Sequence, residues 1–348
     1  MAASKTVEVR IEDKTLKLSN LDKVLYPAAG FTKAQMIDYY TRIAPALIPH
    51  LSGRPLTLKR YPNGVDEEFF FEKNCPKHRP DWVHTAEVWS WGNNRNMYYC
   101  VADDLPTLVW VANLASIELH TSLSLGKKIE QPTCLVFDLD PGPPADIVDC
   151  CEVGIWVRDL FASVGMKSFA KTSGSKGLQL YVPLNTAVDY TATKEVSKGI
   201  AMHFEREHPD RVVHQQLKEL RRGKILIDWS QNDQYKTTVN VYSLRAREHP
   251  TVSTPVTWDE VSECLERRDA SLLRFMSDQV LERVDAIGDL FEPVLKLKQK
   301  LASGLPTTDA PKKRVMRAPA SEEAREKMRE RMRSRVSQRG RRETREPS

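Results

Sequence analysis

The chain has 348 residues, 41% of them hydrophobic and 28% charged, proportions that allow a large buried core. No run of about 18 apolar residues occurs, and the first residues hold no apolar core, so neither a membrane-spanning helix nor a secretory leader is expected and a cytoplasmic, nucleoid-associated protein is. The net charge is +5, but residues 312–348 carry 14 Lys or Arg against 6 Asp or Glu, a net of +8 that leaves −3 on residues 1–311; such a tail suits polyanion contact or a solubilising extension.

Residues 6–18 read as an opening hairpin or pair of short strands. Apolar residues recur at helical spacing over 33–50, and Pro49 to Gly53 end that helix. Residues 56–60 and 69–72 are short strand candidates. Residues 90–101 read as a hairpin turning at Gly92-Asn93-Asn94, and 105–118 as an apolar helix. An apolar strand at 134–140 ends in Pro141-Gly142. A helix over 147–164 follows, then strands at 168–171 and 178–182 around a Gly-rich turn, a helix over 192–208, a strand at 224–229, and helical segments at 259–267 and 277–284. Strands alternating with helices predict an α/β or α+β body. After about residue 303 the character changes: 306–311 is a Pro-containing linker. Residues 322–339 can form a charged helix with Glu and Arg three and four apart, but little apolar surface exists to anchor it. One domain over 1–303 is expected, with a linker and basic tail over 304–348 that is disordered or becomes helical on a partner. The cysteines at 75, 100, 134, 150, 151 and 264 contain no Cys-x-x-Cys pair and read as structural thiols of a reducing compartment. Cys75 and His78 have the spacing of half a zinc site, but no partner pair accompanies them.

The sharpest chemical feature is the run Leu135 to Gly142. On a strand, residues i and i+2 share a face, so Asp138 and Asp140 sit roughly 7 Å apart on one side, with Phe137 and Leu139 turned the other way. Two carboxylates this close repel unless cations neutralise them, a geometry that suits two divalent metals. An acidic strand end that accepts turn hydrogen bonds is the plain alternative. An EF-hand is excluded, because Gly142 is fifth and Asp149 twelfth where Gly at six and Glu at twelve are required. Gly142 also counts against a DxDxT phosphatase. A second apolar strand ends in Asp228. Three acids at strand ends are what two-metal nucleotidyl transfer needs: one ion lowers the pKa of a 3′-hydroxyl, the other holds the triphosphate.

The turn Thr172 to Gly177 can aim several N–H groups one way, a nest for phosphate to which Lys176 adds a charge; it lacks the P-loop pattern, and an ordinary hairpin turn fits equally. Lys218, Arg221, Arg222 and Lys224 precede Asp228, and Arg245 and Arg247 follow it. They read as surface charge or as contacts to triphosphate or template. His120 fits a core or edge position. Phe69, Phe70 and Phe71 cannot all point inward on a strand, which leaves at least one to stack on a base.

Three segments in this order, FDLDPG (137–142), TSGSKGLQLYVPL (172–184) and IDWSQND (227–233), closely resemble the polymerase domain of bacterial DNA ligase D, in the archaeo-eukaryotic primase superfamily. LSNLDKVLYP (18–27), KRYPNGVDEEFFFEK (59–73) and YSLRAREHPTVSTPVTWDE (242–260) match as well, and the resemblance covers about residues 7–300. It implies an α/β (α+β) primase-polymerase fold: an RRM-like catalytic β-sheet flanked by helices, plus an N-terminal α/β portion. It implies two Mn²⁺ or Mg²⁺ ions and DNA-directed addition of NTP or dNTP, ribonucleotides preferred, at DNA gaps and ends. The setting would be non-homologous end joining beside Ku and a separate DNA ligase, or excision repair. Asp138, Asp140 and Asp228 match the catalytic metal ligands. His120, Ser173, Gly174, Ser175, Lys176, Gln231 and Arg245 match the nucleotide site. Asn20, Lys23 and Lys33 match a pocket for the 5′-phosphate of a gap. Arg60, Phe70, Phe71, Lys218 and Arg221 match template and primer contacts, the two phenylalanines near the templating base and the two cations on a surface hairpin at the primer end. Gln179 departs from the His of many relatives and cannot be cationic. No ligase or phosphoesterase domain is expected in 348 residues, which resembles the stand-alone actinobacterial polymerases. A non-catalytic DNA-end bridging factor and a primer-independent primase are the alternatives.

Overall fold

The computed structural model of the chain describes residues 6–308; the basic tail at 312–348 and the helix predicted over 322–339 lie outside them. Two ribbons open the chain: β1 (Thr6–Ile11) with β2 (Lys14–Ser19), and β3 (Val24–Tyr26) with β4 (Phe31–Thr32). Helix α1 (Lys33–Leu51) starts at a capping box in which Thr32 and Gln35 satisfy each other's backbone N–H groups. There follow β5 (Leu56–Arg60), β6 (Phe70–Glu72), β7 (Thr85–Ser90), β8 (Arg95–Cys100), α2 (Leu105–Asn113) and β9 (Ser116–Thr121). The second half holds β10 (Cys134–Pro141), α3 (Ile147–Ser163), β11 (Phe169–Thr172), β12 (Leu178–Pro183), α4 (Tyr190–Glu207), β13 (Val212–Val213), β14 (Ile225–Asp228), β15 (Thr238–Val239), β16 (Pro255–Val256), α5 (Trp258–Arg267), α6 (Ser277–Ile287) and α7 (Glu292–Lys296).

Two sheets carry the molecule. The first has the order β15-β9-β5-β8-β7, with β6 added on β5; the second is β13-β14-β10-β12-β11-β16. All pairings are antiparallel except β13 with β14. The period-2 alternation of β10 explains how the sheets stack. Leu135, Phe137 and Leu139 point into one core with Val153, Val157 and Phe161 of α3 and Val196, Ile200 and Phe204 of α4. Cys134 and Val136 point into the other core, shared with α1, α2 and the first sheet. On that second face the next two residues are Asp138 and Asp140, so the apolar layer gives way to acids at the end of one strand.

Three sequence expectations change. The helix predicted over 105–118 stops at Asn113, because Ala115 takes a left-handed backbone (φ 58°), and the chain re-enters as β9; Glu118 and His120 are thus strand residues. Cys75 and Cys100 are joined by a disulfide rather than being free thiols, while Cys134, Cys150, Cys151 and Cys264 are free and buried. Packing also continues past residue 303: Leu305 is buried in the second core, and a Cβ at Gly199 of α4 would meet Pro306 O at 2.5 Å.

Candidate active site

Strand β10 lies between β12 and β14, and the register decides the site. Asp138 stands directly opposite Asp228 on β14 and opposite Gln179 on β12, and Gln179 stands opposite Lys171 on β11. Residues opposite one another share a face, with Cβ atoms about 5 Å apart. The row Asp228, Asp138, Gln179, Lys171 therefore crosses four strands on one face, and Asp140 joins it two residues along β10. Pro141-Gly142 is required where it stands: a Cβ at Gly142 would lie 1.8 Å from Arg221 O, and Gly142 exchanges backbone bonds with Lys224 and Gly223. The glycine thus lets the 216–223 loop dock against the acidic strand end. Asn232 anchors the turn after Asp228 by accepting from Val136 N (2.9 Å) and donating to Val136 O (2.6 Å).

Asp138 and Asp140 crowd each other's charge. Burial first, then Asp140 and Asp228, push the Asp138 carboxyl up to about 7, and its Oδ1 is buried without a hydrogen-bond partner. Burial and Asp228 also raise Asp140, partly offset by Arg221 and Arg245. Asp228 accepts from Ser230 N (2.9 Å), Gln216 Nε2 (3.0 Å) and Gln231 Nε2 (3.0 Å). Its carboxylate is turned onto its own turn, and among the described residues no three such side chains are arranged to hold one ion as they stand. The donor set nonetheless fits a divalent cation: an orphaned buried carboxylate oxygen and two neighbouring carboxylates, all hard oxygen ligands. Swinging Asp228 off the Gln216 and Gln231 amides, which are flexible side chains, is the adjustment needed.

The Gly-rich turn joins β11 to β12. Ser173 Oγ accepts from Ser175 N (3.2 Å) and Gly177 N (3.1 Å), so these N–H groups converge inside the loop. Gly174 has φ +66° and presses on the Val252–Ser253 backbone, where a Cβ would meet atoms at 2.6–2.7 Å. Lys176 is exposed. Arg245 donates to Ser173 O and ion-pairs with Glu118 (3.4 Å). Glu118, buried on β9, is the hub the sequence did not reveal. It lies 3.5 Å from Lys59 Nζ and 2.9 Å from His120 Nε2, and accepts from Ala246 N (3.1 Å). Burial alone would raise its carboxyl, but the His120 hydrogen bond and the charges of Arg245, His120 and Lys59 outweigh that and hold it well below the usual carboxylate range. His120 itself is lowered by burial, partly offset by Glu118. The one sequence signal for Glu118 is a lone acid between Ile117 and Leu119, which the helical reading of 105–118 places at a helix end.

Phe69, Phe70 and Phe71 are all substantially exposed. Phe71 meets His120 edge-on at 5.9 Å, and Lys59 Nζ sits 4.3 Å from the centre of the Phe69 ring. The structure thus joins the aromatic triplet to the His120–Glu118 cluster. A separate cavity of about 490 Å³ is lined by Ser19, Asn20, Lys23, Lys33, Arg60 and Trp110, among others. Lys33, nearly inaccessible on the first turn of α1, donates to Ser19 O at 2.7 Å. Arg60, expected with the template and primer contacts, lines this cavity while pairing with Glu72 (2.7 Å) and lying over Phe70. It belongs spatially with Lys23 and Lys33 as much as with the phenylalanines. Lys218 and Arg221 stand on the loop between β13 and β14, beside the acidic strand end, with Leu217 and Leu220 exposed next to them.

With this geometry in place, comparison with known proteins is decisive. The LigD primase-polymerase domain matches residues 32–291. The chain belongs to the LigD primase-polymerase domain family. It is 41% identical over 281 residues to the multifunctional non-homologous end joining protein LigD of Mycolicibacterium smegmatis, covering 80% of this chain and 36% of that protein. To the multifunctional non-homologous end joining DNA repair protein LigD of Mycobacterium tuberculosis it is 40% identical over 290 residues, covering 80% and 37%. To the bifunctional LigD of Bacillus subtilis it is 31% identical over 274 residues. The chain thus spans little more than a third of the mycobacterial relatives. The solved polymerase domain of Mycobacterium tuberculosis ligase D in complex with DNA superposes with a TM-score of 0.74 at 40% identity, over 80% of this chain and 98% of that one. The family fold, antiparallel sheets flanked by helices, is the one described above.

Proposed function

We propose that the chain is a DNA-dependent nucleotidyl transferase, a repair polymerase that adds nucleotides, ribonucleotides by preference, to 3′-hydroxyls at gaps and ends. The observation that carries this reading is Asp228 directly opposite Asp138, with Asp140 two residues along the same face. Mn²⁺ or Mg²⁺ would be held by these three carboxylates, and when bound it supplies activation of the 3′-hydroxyl and neutralises triphosphate charge. The chain's own residues do the rest. Arg245 and Lys176 present cations to the triphosphate, Arg245 being aimed by Glu118 and Ser173 O. His120, Ser173, Gly174, Ser175 and Gln231 frame the nucleotide. Phe70 and Phe71 offer faces to the templating base, and Lys218 and Arg221 take the primer backbone.

The names of the relatives support a place in non-homologous end joining; Ku and a separate ligase are the partners proposed for that setting, and excision-repair gap filling fits the same chemistry. The catalytic unit, expected over 1–303, is read as extending past residue 303 to include the packed Leu305. Primer extension on gapped duplex with Mn²⁺ and labelled ribonucleotide tests the proposal. Extension from the primer, and none on a primer-free single strand, is expected. DNA binding without extension would favour a bridging factor, and products on the primer-free template a primase.

The cavity around Lys33 is assigned to the 5′-phosphate across a gap. Burial first, then Lys23 and Arg60, lowers the Lys33 ammonium to about 8. Lys33 is therefore charged below pH 8 and attracts phosphate, and it loses its proton as the pH rises through that value. Preference for 5′-phosphate over 5′-hydroxyl gaps, measured by fluorescence anisotropy, is expected to weaken between pH 7 and 9. Lys33→Met should lose about tenfold of that preference, as for one charge-assisted hydrogen bond, and flatten its pH dependence. A phosphate preference unchanged in Lys33→Met would remove Lys33 from this role.

A further inference from the structure

Lys171 is completely buried, and nothing in the chemistry above uses it. Its Nζ donates to Gln179 Oε1 (2.5 Å) and to Ser253 Oγ (2.6 Å), and lies 5.5 Å from the centre of the Tyr181 ring. Ser253 Oγ in turn donates to Thr172 O (2.9 Å). Gln179 stands directly opposite Asp138 on the next strand, and its amide favours the ionised form of that carboxyl.

An amide side chain can present either its oxygen or its NH₂ in a given direction. Lys171 Nζ donates to both of its partners here, and an ionised carboxylate only accepts. With Lys171 on one side, Gln179 must turn Oε1 toward it, so Nε2 faces Asp138. The flipped amide would set two donors against each other on one side and two acceptors on the other, in a dry interior where each mismatch is costly.

We propose that Lys171 is a positioning residue: through Gln179 it fixes one oxygen of Asp138 as a hydrogen-bond acceptor and leaves Oδ1 free for a divalent cation. This rests on the metal reading of the three aspartates. The tether is neutral where it meets the acid, so Gln179 orients the ligand without competing for its charge. Partners of metal ligands of this kind commonly contribute 10- to 100-fold in metal affinity.

The test uses the full chain and Mn²⁺ alone, with free Mn²⁺ followed by electron paramagnetic resonance. Lys171→Met and Gln179→Leu should each weaken Mn²⁺ binding about tenfold, and the double variant should be no weaker than Gln179→Leu, since the lysine acts through the amide. Losses that multiply, or wild-type affinity in a folded Lys171→Met protein, would overturn the tether. If Lys171→Met does not fold, Ser253→Ala keeps the lysine but removes one of its two acceptors. It should give a smaller loss that disappears in the Gln179→Leu background, and an unchanged affinity overturns the proposal. Failure of the wild-type chain itself to bind Mn²⁺ would overturn the metal reading beneath it, a result distinct from loss of the tether.

Discussion

Asp138→Asn is expected to abolish nucleotide addition and, in metal-free buffer, to make the protein more stable. The loss of activity, a thousandfold or more, follows from removing the central carboxylate of the row, since groups that act as one unit fail together. The stability gain follows from the same crowding. Desolvation of the half-buried Asp138 first, and then the neighbouring Asp140 and Asp228, push its carboxyl up to about 7. Below the ordinary carboxyl value the proton is on in both folded and unfolded chains and no penalty exists. As the pH rises from about 4 to 7 the unfolded chain releases its proton first, so folding stability falls; above 7 the penalty is complete. Asparagine has no charge to desolvate and should recover on the order of 2 kcal/mol near neutral pH, seen as a melting temperature a few degrees higher. Mn²⁺ should raise the melting temperature of the wild type and leave that of the variant nearly unchanged. A variant less stable than the wild type at pH 8 without metal would mean that the acids are not strained against each other.

Glu118→Gln is expected to damage stability and nucleotide use together. One carboxylate, 1% exposed, faces Lys59, His120 and Arg245. Taking away its charge leaves three neighbouring cations or would-be cations uncompensated. Removing one partner of a buried ion pair costs about 3–5 kcal/mol, so the melting temperature should fall by roughly 10 °C. Arg245 also loses the partner that aims it at the Ser173 loop, so the KM for nucleotide should rise about tenfold or more, beyond any fall in kcat. Melting by circular dichroism and steady-state extension kinetics measure the two effects. A nucleotide KM equal to that of the wild type in a folded variant would show that Glu118 does not position Arg245.

The acids were legible because strand chemistry is local. Apolar alternation assigns β10, and Asp138 and Asp140 fall on one face by their spacing alone. Asp228 was found as an acid ending a second apolar strand, but its register against Asp138 is a tertiary fact. Glu118 and Lys171 were not legible: each is a lone charge inside an apolar strand, and its meaning lies in partners far along the chain, Arg245 for one and Ser253 for the other. Glu118 was further hidden by reading 105–118 as one helix, since nothing but the left-handed Ala115 ends it. The Cys75–Cys100 bond joins the segment after β6 to the end of β8, a proximity that Cys spacing does not encode. Arg60 was read from its motif, whereas its place beside Lys33 depends on how α1 packs under the first sheet.

The most direct measurement is a crystal of the chain soaked with Mn²⁺ and a non-hydrolysable ribonucleotide, with anomalous scattering recorded at the manganese edge. Peaks within coordination distance of Asp138, Asp140 and Asp228, with Asp228 swung away from Gln216 and Gln231, are the expected result. Manganese bound elsewhere, or absent from these three side chains while nucleotide occupies the Ser173 loop, would contradict the account.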